Sequence, residues 1–132
     1  MLAGGIGVTP QCSMIRYATD EALKTSIILL YSNRYEDNTA FEDDFNEMQG
    51  RNQNLKVMLT ITQPSQNWKG CTGRINRAII EKVVPDYAER IFYTSGPGPM
   101  LDAMSATLRE IGLPDTQIKQ EYFTGYAGTP KQ

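Results

Sequence analysis

The segment Ser26-Ile27-Ile28-Leu29-Leu30-Tyr31-Ser32 shows no polar–apolar alternation. A strand with one wet face alternates, whereas a short continuous apolar run suits a strand covered on both faces, as in a parallel sheet between helix layers. The flanking segments agree with that reading. Pro10 to about Ala22 carries Met14, Ile15 and Ala18 at helical spacing. Thr39-Ala40-Phe41-Glu42 has the capping-box spacing, and Phe41, Phe45 and Met48 then follow at intervals of four and three, up to Gln49-Gly50. Leu55, Val57, Leu59 and Ile61 alternate with more polar residues, which predicts a strand nearer a sheet edge. A loop is expected from Gln63 to Gly73, holding Trp68 and Cys71. Ile75, Ile79, Ile80 and Val83 predict a helix closed by Pro85, and Arg90 to Ser95 a further strand. Leu101, Met104, Leu108 and Ile111 mark another helix, stopped by Gly112 and Pro114, before a last strand from Ile118 to Phe123.

Strands alternating with helices imply parallel β-α units, here an α/β fold of three layers (α/β/α) in one domain covering residues 1–132. Such sheets bind ligands beyond the carboxyl ends of their strands. Two glycine–proline turns fall at such ends: Ala3-Gly4-Gly5-Ile6-Gly7-Val8-Thr9-Pro10 and Gly96-Pro97-Gly98-Pro99. In the first, Thr9 has the chemistry of an N-cap and Pro10 that of a first helical residue. A helix start presents free N–H groups to a phosphate, so the turn reads either as a pyrophosphate cradle or as a structural glycine turn. The usual dinucleotide fingerprint G-x-G-x-x-G fails, because Pro10 stands where its last glycine belongs.

Composition removes several classes of function. The net charge of −2 gives no reason to expect nucleic acid or a membrane as partner, and the longest apolar runs are too short to span a bilayer. With no histidine in the chain, histidine-based triads, general bases and metal sites are excluded. Cys12 and Cys71 form neither a metal-ligand pattern nor a disulfide framework, and they read as small buried residues. No metal site is expected. Met1-Leu2 runs directly into the glycine turn with no basic start and no apolar leader, so a reduced cytoplasmic setting is expected. Any chemistry here would draw its reactive atoms from a bound cofactor.

The stretch G-G-I-G-V-T-P resembles the nucleotide-binding half of the ferredoxin–NADP reductase family of flavoproteins. Four further segments resemble that family in the same order: Leu29 to Arg34, Gly73-Arg74-Ile75, Thr94-Ser95-Gly96-Pro97-Gly98-Pro99-Met100, and Glu121-Tyr122-Phe123-Thr124-Gly125-Tyr126. The resemblance covers essentially the whole chain. It implies a parallel sheet of about five strands in the order 3-2-1-4-5, binding NADH or NADPH. It also implies that FAD or FMN resides on a separate flavin-binding domain or subunit, since nothing in this chain resembles the family's flavin-binding barrel. Hydride would then pass from nicotinamide to that flavin, and on to an electron acceptor the sequence does not name. The alternative is a non-enzymatic dinucleotide-binding or sensing module. The first strand has only Met1-Leu2-Ala3 before the glycines and is expected to be truncated. That suggests a fragment or separately encoded half, with unpaired sheet edges open to self-association.

Carried over residue by residue, the resemblance assigns Gly4, Gly5, Gly7, Thr9 and Pro10 to the pyrophosphate and nicotinamide-side turn. Ser32, Asn33 and Arg34 would meet the adenosine ribose, with Arg74 as a second cation. A fold selecting NAD commonly places an acid directly after this strand; here Glu36 and Asp37 come later, which favours NADPH. The competing reading is that Arg34 merely pairs with those acids. Ser95, which stands where many family members have cysteine, belongs with Gly96, Pro97 and Met100 to the second turn, although Met100 also suits plain helix core. Glu121, as a catalytic electrostatic group, and Phe123 would approach the flavin–nicotinamide junction.

Overall fold

The computed structural model describes residues 1–122, with nothing described of the side chains of Ile6, Asn38 and Tyr122. Phe123 and the rest of the last family-like segment lie outside the described residues. Within them, β1 (Leu2–Gly4), β2 (Ile27–Asn33), β3 (Leu55–Ile61), β4 (Cys71–Thr72), β5 (Phe92–Gly96) and β6 (Ile118–Tyr122) make one sheet in the order β4-β3-β2-β1-β5-β6. All five pairings are parallel. With the two-residue β4 set aside, this is the expected 3-2-1-4-5 order. β4 is the addition, because the stretch expected to be loop lays Cys71 beside Thr60 and Thr72 beside Ile61.

Helices α1 (Thr9–Asp20), α2 (Glu42–Arg51), α3 (Arg77–Val83) and α4 (Gly98–Glu110) cover the sheet on both faces. Ala3, Leu29, Tyr31 and Leu55 form one core with Val8, with Ile15 of α1, and with Phe45 and Met48 of α2. Leu2, Leu30, Phe92 and Ile118 form the other with Ile80 and Val83 of α3 and Met104 and Leu108 of α4. Leu29 and Leu30 thus point to opposite helix layers, and both are fully buried. That double burial is the reason the β2 sequence lacks alternation.

Two local expectations are corrected. Thr9 is not the N-cap of α1: a 3-10 turn, Gly5–Val8, runs straight into the helix, and Val8 occupies the cap in helical conformation. The conformational break is moved back to Gly5, whose φ of +55° favours glycine. The capping box also does not form. Phe41, at φ +63°, sits at the cap of α2 with no side-chain cap hydrogen bond, and its ring is exposed rather than on the apolar face. At α3, by contrast, Asn76 Oδ1 accepts from Ile79 N at 2.9 Å, a true side-chain cap.

β1 is short, as expected, yet it is paired on both sides: Leu2 with Leu30 and Thr94, Ala3 with Tyr31 and Ser95. Gln11 strengthens this junction from α1. Its buried Nε2 donates to Leu2 O at 3.1 Å and to Tyr93 O at 2.9 Å, joining β1 to β5.

Candidate functional site

Both glycine turns come together at the carboxyl edge of the sheet. A Cβ on Gly7 would lie 2.6 Å from Gly96 Cα, so the turns touch backbone to backbone only because Gly7 has no side chain. The buried Ser95 hydroxyl donates to Gly7 O, fastening the second turn to the first. Tyr31, at the end of β2, braces the first turn. Its hydroxyl donates to Gly5 O at 3.1 Å and accepts from Ala40 N at 3.2 Å, while its ring stands edge-on to Phe45. Burial raises the phenol's pKa, an effect partly offset by the Asn33 side chain and the Ala40 N–H, so the group stays protonated.

Beside these turns opens a cleft of about 660 Å³. Of the residues anticipated from sequence, Gly4, Gly5, Ser32, Asn33, Arg34, Arg74, Pro97 and Met100 line it. A Cβ at Gly4 would overlap Met100 Sδ, so Met100 both packs on a core and fills the wall beside β1. Arg74 reaches the cleft through β4, a link that the loop expectation missed. Thr60 Oγ1 donates to Gly73 O at 2.6 Å and Gly73 N donates to Ile61 O at 3.0 Å, fixing the residue before Arg74.

The electrostatics of the cleft favour an anion. Among the described residues no carboxylate lies within ion-pairing distance of Arg34 or Arg74. The alternative in which Arg34 pairs with Glu36 does not occur. Glu36 instead accepts from Ser65 N and Ser65 Oγ, and those hydrogen bonds hold its carboxyl below the usual range. Asn33 is buried at the wall of the cleft, and its side chain lies against the Tyr31 hydroxyl, whose pKa it lowers.

The remaining anticipated residues lie elsewhere. Pro10, Ser95 and Glu121 line a separate space of about 350 Å³ with Gln11, Tyr93 and Lys119, between α1 and strands β5 and β6. Glu121 is exposed and sits opposite Ser95 in the ladder. Thr9 is exposed at the first turn of α1 and lines neither space. Both cysteines are free thiols and half-buried. Burial raises the Cys12 thiol, and Cys71 Sγ contacts Met58 Sδ at 3.3 Å. Trp68 caps the loop before β4 by donating to Cys71 O at 2.7 Å. Tyr31 and Gln11 are the site-shaping residues that the apolar pattern did not reveal. One reads as a strand aromatic and the other as an ordinary helix polar residue.

A parallel sheet with a cleft at its carboxyl edge, lined by Gly4 and Gly5 and by two arginines with no carboxylate partner among the described residues, has the layout of a dinucleotide-binding α/β domain. The sequence model of the oxidoreductase NAD-binding domain matches residues 1–106, and the chain belongs to that family. It is 28% identical over 126 residues to the glycine betaine monooxygenase reductase subunit of Chromohalobacter salexigens, covering 93% of this chain and 34% of that one. It is 31% identical over 130 residues to a component of the Na(+)-translocating NADH-quinone reductase of Yersinia pestis, covering 94% and 32%. NADH-cytochrome b5 reductase 1 of Cryptococcus neoformans is 30% identical over 124 residues, covering 86% and 42%. The chain therefore spans well under half the length of these relatives. In structure it is similar to the cytochrome b5 reductase domain of Ulva prolifera nitrate reductase, with a TM-score of 0.82 at 24% identity, covering 92% of this chain and 47% of that one. Among the described residues no helix is long and apolar enough to cross a membrane, and no cluster of possible metal ligands occurs.

Proposed function

We propose that this chain is the dinucleotide-binding half of a flavin-dependent oxidoreductase and positions NADPH for hydride transfer to a flavin held by another domain or subunit. The observation that carries this reading is the cleft that places Gly4 and Gly5 beside Asn33, Arg34 and Arg74. Backbone N–H groups of the glycine turn serve the pyrophosphate, and the second turn closes on the ribose and nicotinamide through Gly96, Pro97 and Met100. When bound, the nicotinamide supplies the hydride. Glu121 and Pro10, in the adjoining space, face the end at which the acceptor flavin arrives. A reduced cytoplasmic setting is supported by the two free cysteines.

Preference for the 2′-phosphate rests on Arg34 and Arg74 having no carboxylate partner while Glu36 is held by Ser65. A guanidinium fork suits a phosphate. A second reading, NADH, is favoured by the relatives whose names carry NADH. Equilibrium titration with each cofactor decides between them. Arg34→Ala is expected to weaken NADPH binding about tenfold or more, the effect of losing one charge-assisted hydrogen bond, and to leave NADH binding nearly unchanged. Equal losses for the two cofactors would overturn the assignment. Failure of both cofactors to bind the parent chain would overturn the whole reading.

A further inference from the structure

The segment that follows β3 runs beside the segment that follows β2 well past the ends of the two strands. Ile61 is the last β3 residue in their ladder, opposite Asn33. Beyond it, Thr62 N donates to Asn33 O at 2.9 Å and Gln63 N donates to Arg34 O at 2.8 Å. The pairing carries Ser65 to Glu36 and ends there in a two-point contact. Ser65 N donates to Glu36 Oε1 at 2.8 Å, and the Ser65 hydroxyl donates to Glu36 Oε2. That hydroxyl accepts from Asn67 N at 3.3 Å, which leaves its own proton for the carboxylate. Ser65 O accepts from Trp68 N at 3.2 Å and so closes a turn around the same residue. One serine of the β3–β4 loop therefore occupies both oxygens of Glu36.

Glu36 is the first acidic residue after β2 and stands two positions past Arg34. An acid at this end of a dinucleotide fold accepts from a ribose 2′-hydroxyl and repels a 2′-phosphate. Glu36 has the charge for that part, yet the cleft is lined by Arg34 and Arg74 and not by Glu36. Its own element does not turn it away, because the short 3-10 turn Glu36–Asn38 has no side-chain cap. The contact that does so is the one with Ser65. The same hydrogen bonds hold the carboxyl below its usual range, so the group that Ser65 restrains is a carboxylate. Released, it would be a negative charge two residues from Arg34, competing with a phosphate for the guanidinium.

We propose that Ser65 is a specificity-positioning residue, which holds the Glu36 carboxylate against the β3–β4 loop and thereby keeps the ribose end of the cleft cationic and open to a 2′-phosphate. The inference rests on the cofactor reading above and deepens it, since it assigns the choice between the two dinucleotides to a residue outside the lining of the cleft. The selection is then conditional: with Glu36 released, the same chain presents the acid that suits NADH.

The test measures Kd for NADPH and for NADH on the full chain and its variants. Ser65→Ala is expected to weaken NADPH about threefold or more, the scale of one charge interaction at a partly exposed site, and to leave NADH unchanged or tighter. Ser65→Thr keeps the hydroxyl and should keep the parent ratio of the two constants. Glu36→Gln alone should change neither constant much, and added to Ser65→Ala it should restore the parent ratio. Nuclear magnetic resonance of the Glu36 carboxyl reads the contact with no cofactor present: its titration should move up toward the ordinary range in Ser65→Ala. That shift with an unchanged ratio would remove the specificity role and leave the cofactor reading standing, whereas a parent chain that binds neither cofactor would remove both. Rescue by Asp37→Asn as complete as by Glu36→Gln would mean that loop charge in general is at work, and would overturn the proposal. So would a lost ratio that Glu36→Gln fails to restore together with altered emission from Trp68, the single tryptophan of the chain, because the loop fold and not the carboxylate would then set the preference.

Discussion

At the scale of single residues, the most unusual group is the amine of Met1. Burial pushes it down from 8.0 to about 5, with the Arg90 guanidinium adding repulsion. The folded amine therefore binds its proton less well than the unfolded one. Between pH 5 and pH 8 the unfolded state holds more protons, so stability should rise with pH across this window and level off above it. The slope should reach at most about 1.4 kcal/mol per pH unit. The signal is unusually clean because the chain has no histidine, and Cys12 is shifted upward, out of the range. Thermal melts of the free and Nα-acetylated chains check it. Acetylation should flatten the profile while keeping an N–H to donate to Ile28 O, and an unchanged profile would mean that another group is titrating.

At the scale of elements, the sequence was most legible where burial imposes a pattern. The unbroken run in β2 announced a strand covered twice, and Leu101, Met104 and Leu108 announced the buried face of α4. It was least legible where a short contact overrides local chemistry. Thr9 and Thr39 both have the composition of caps, but the helix starts were set instead by a 3-10 turn and by Phe41 in a left-handed conformation. β4 was hidden because two residues have no period, and its role in seating Arg74 was hidden with it. The likeness placed candidate site residues on both glycine turns, and the structure brings those turns together. The division of those residues between two spaces was not legible, since it depends on which helix layer each strand residue faces. The turns also give contrasting predictions. Gly7→Ala puts a Cβ against the Gly96 backbone, which cannot yield cheaply, and should cost about 1–3 kcal/mol or more in urea unfolding. Gly4→Ala meets only the thioether end of Met100, a flexible group. That variant should stay within about 1.5 kcal/mol of the parent, yet bind dinucleotide less well as Met100 swings into the cleft. If Gly7→Ala proved the milder of the two, the backbone contact between the turns would not matter as described.

At the scale of the whole molecule, the candidate cleft is assembled from both halves of the sheet. Gly4, Ser32, Asn33 and Arg34 come from β1, β2 and their ends, while Pro97, Met100, Ala103 and Met104 come from the β5–α4 half. The two halves are coupled through a three-residue central strand, the Gly7–Gly96 contact and the Gln11 amide bridge. A ligand spanning the cleft therefore adds contacts across the seam between the two halves. Anything that binds the folded chain and not the unfolded one stabilises it by RT ln(1 + [L]/Kd), about 2.7 kcal/mol at a hundred times Kd. For a chain of this length that is a rise in Tm on the order of 10 °C. NADPH at such a concentration should give that rise in differential scanning calorimetry. At equal concentration NADH should give a smaller one, and Arg34→Ala should bring the two close together. Oxidation of the reduced cofactor should not accompany the stabilisation until a flavin-bearing partner is supplied, because hydride needs an acceptor that this chain is not expected to hold. A Tm indifferent to both cofactors would show that the cleft does not bridge the two halves through a dinucleotide.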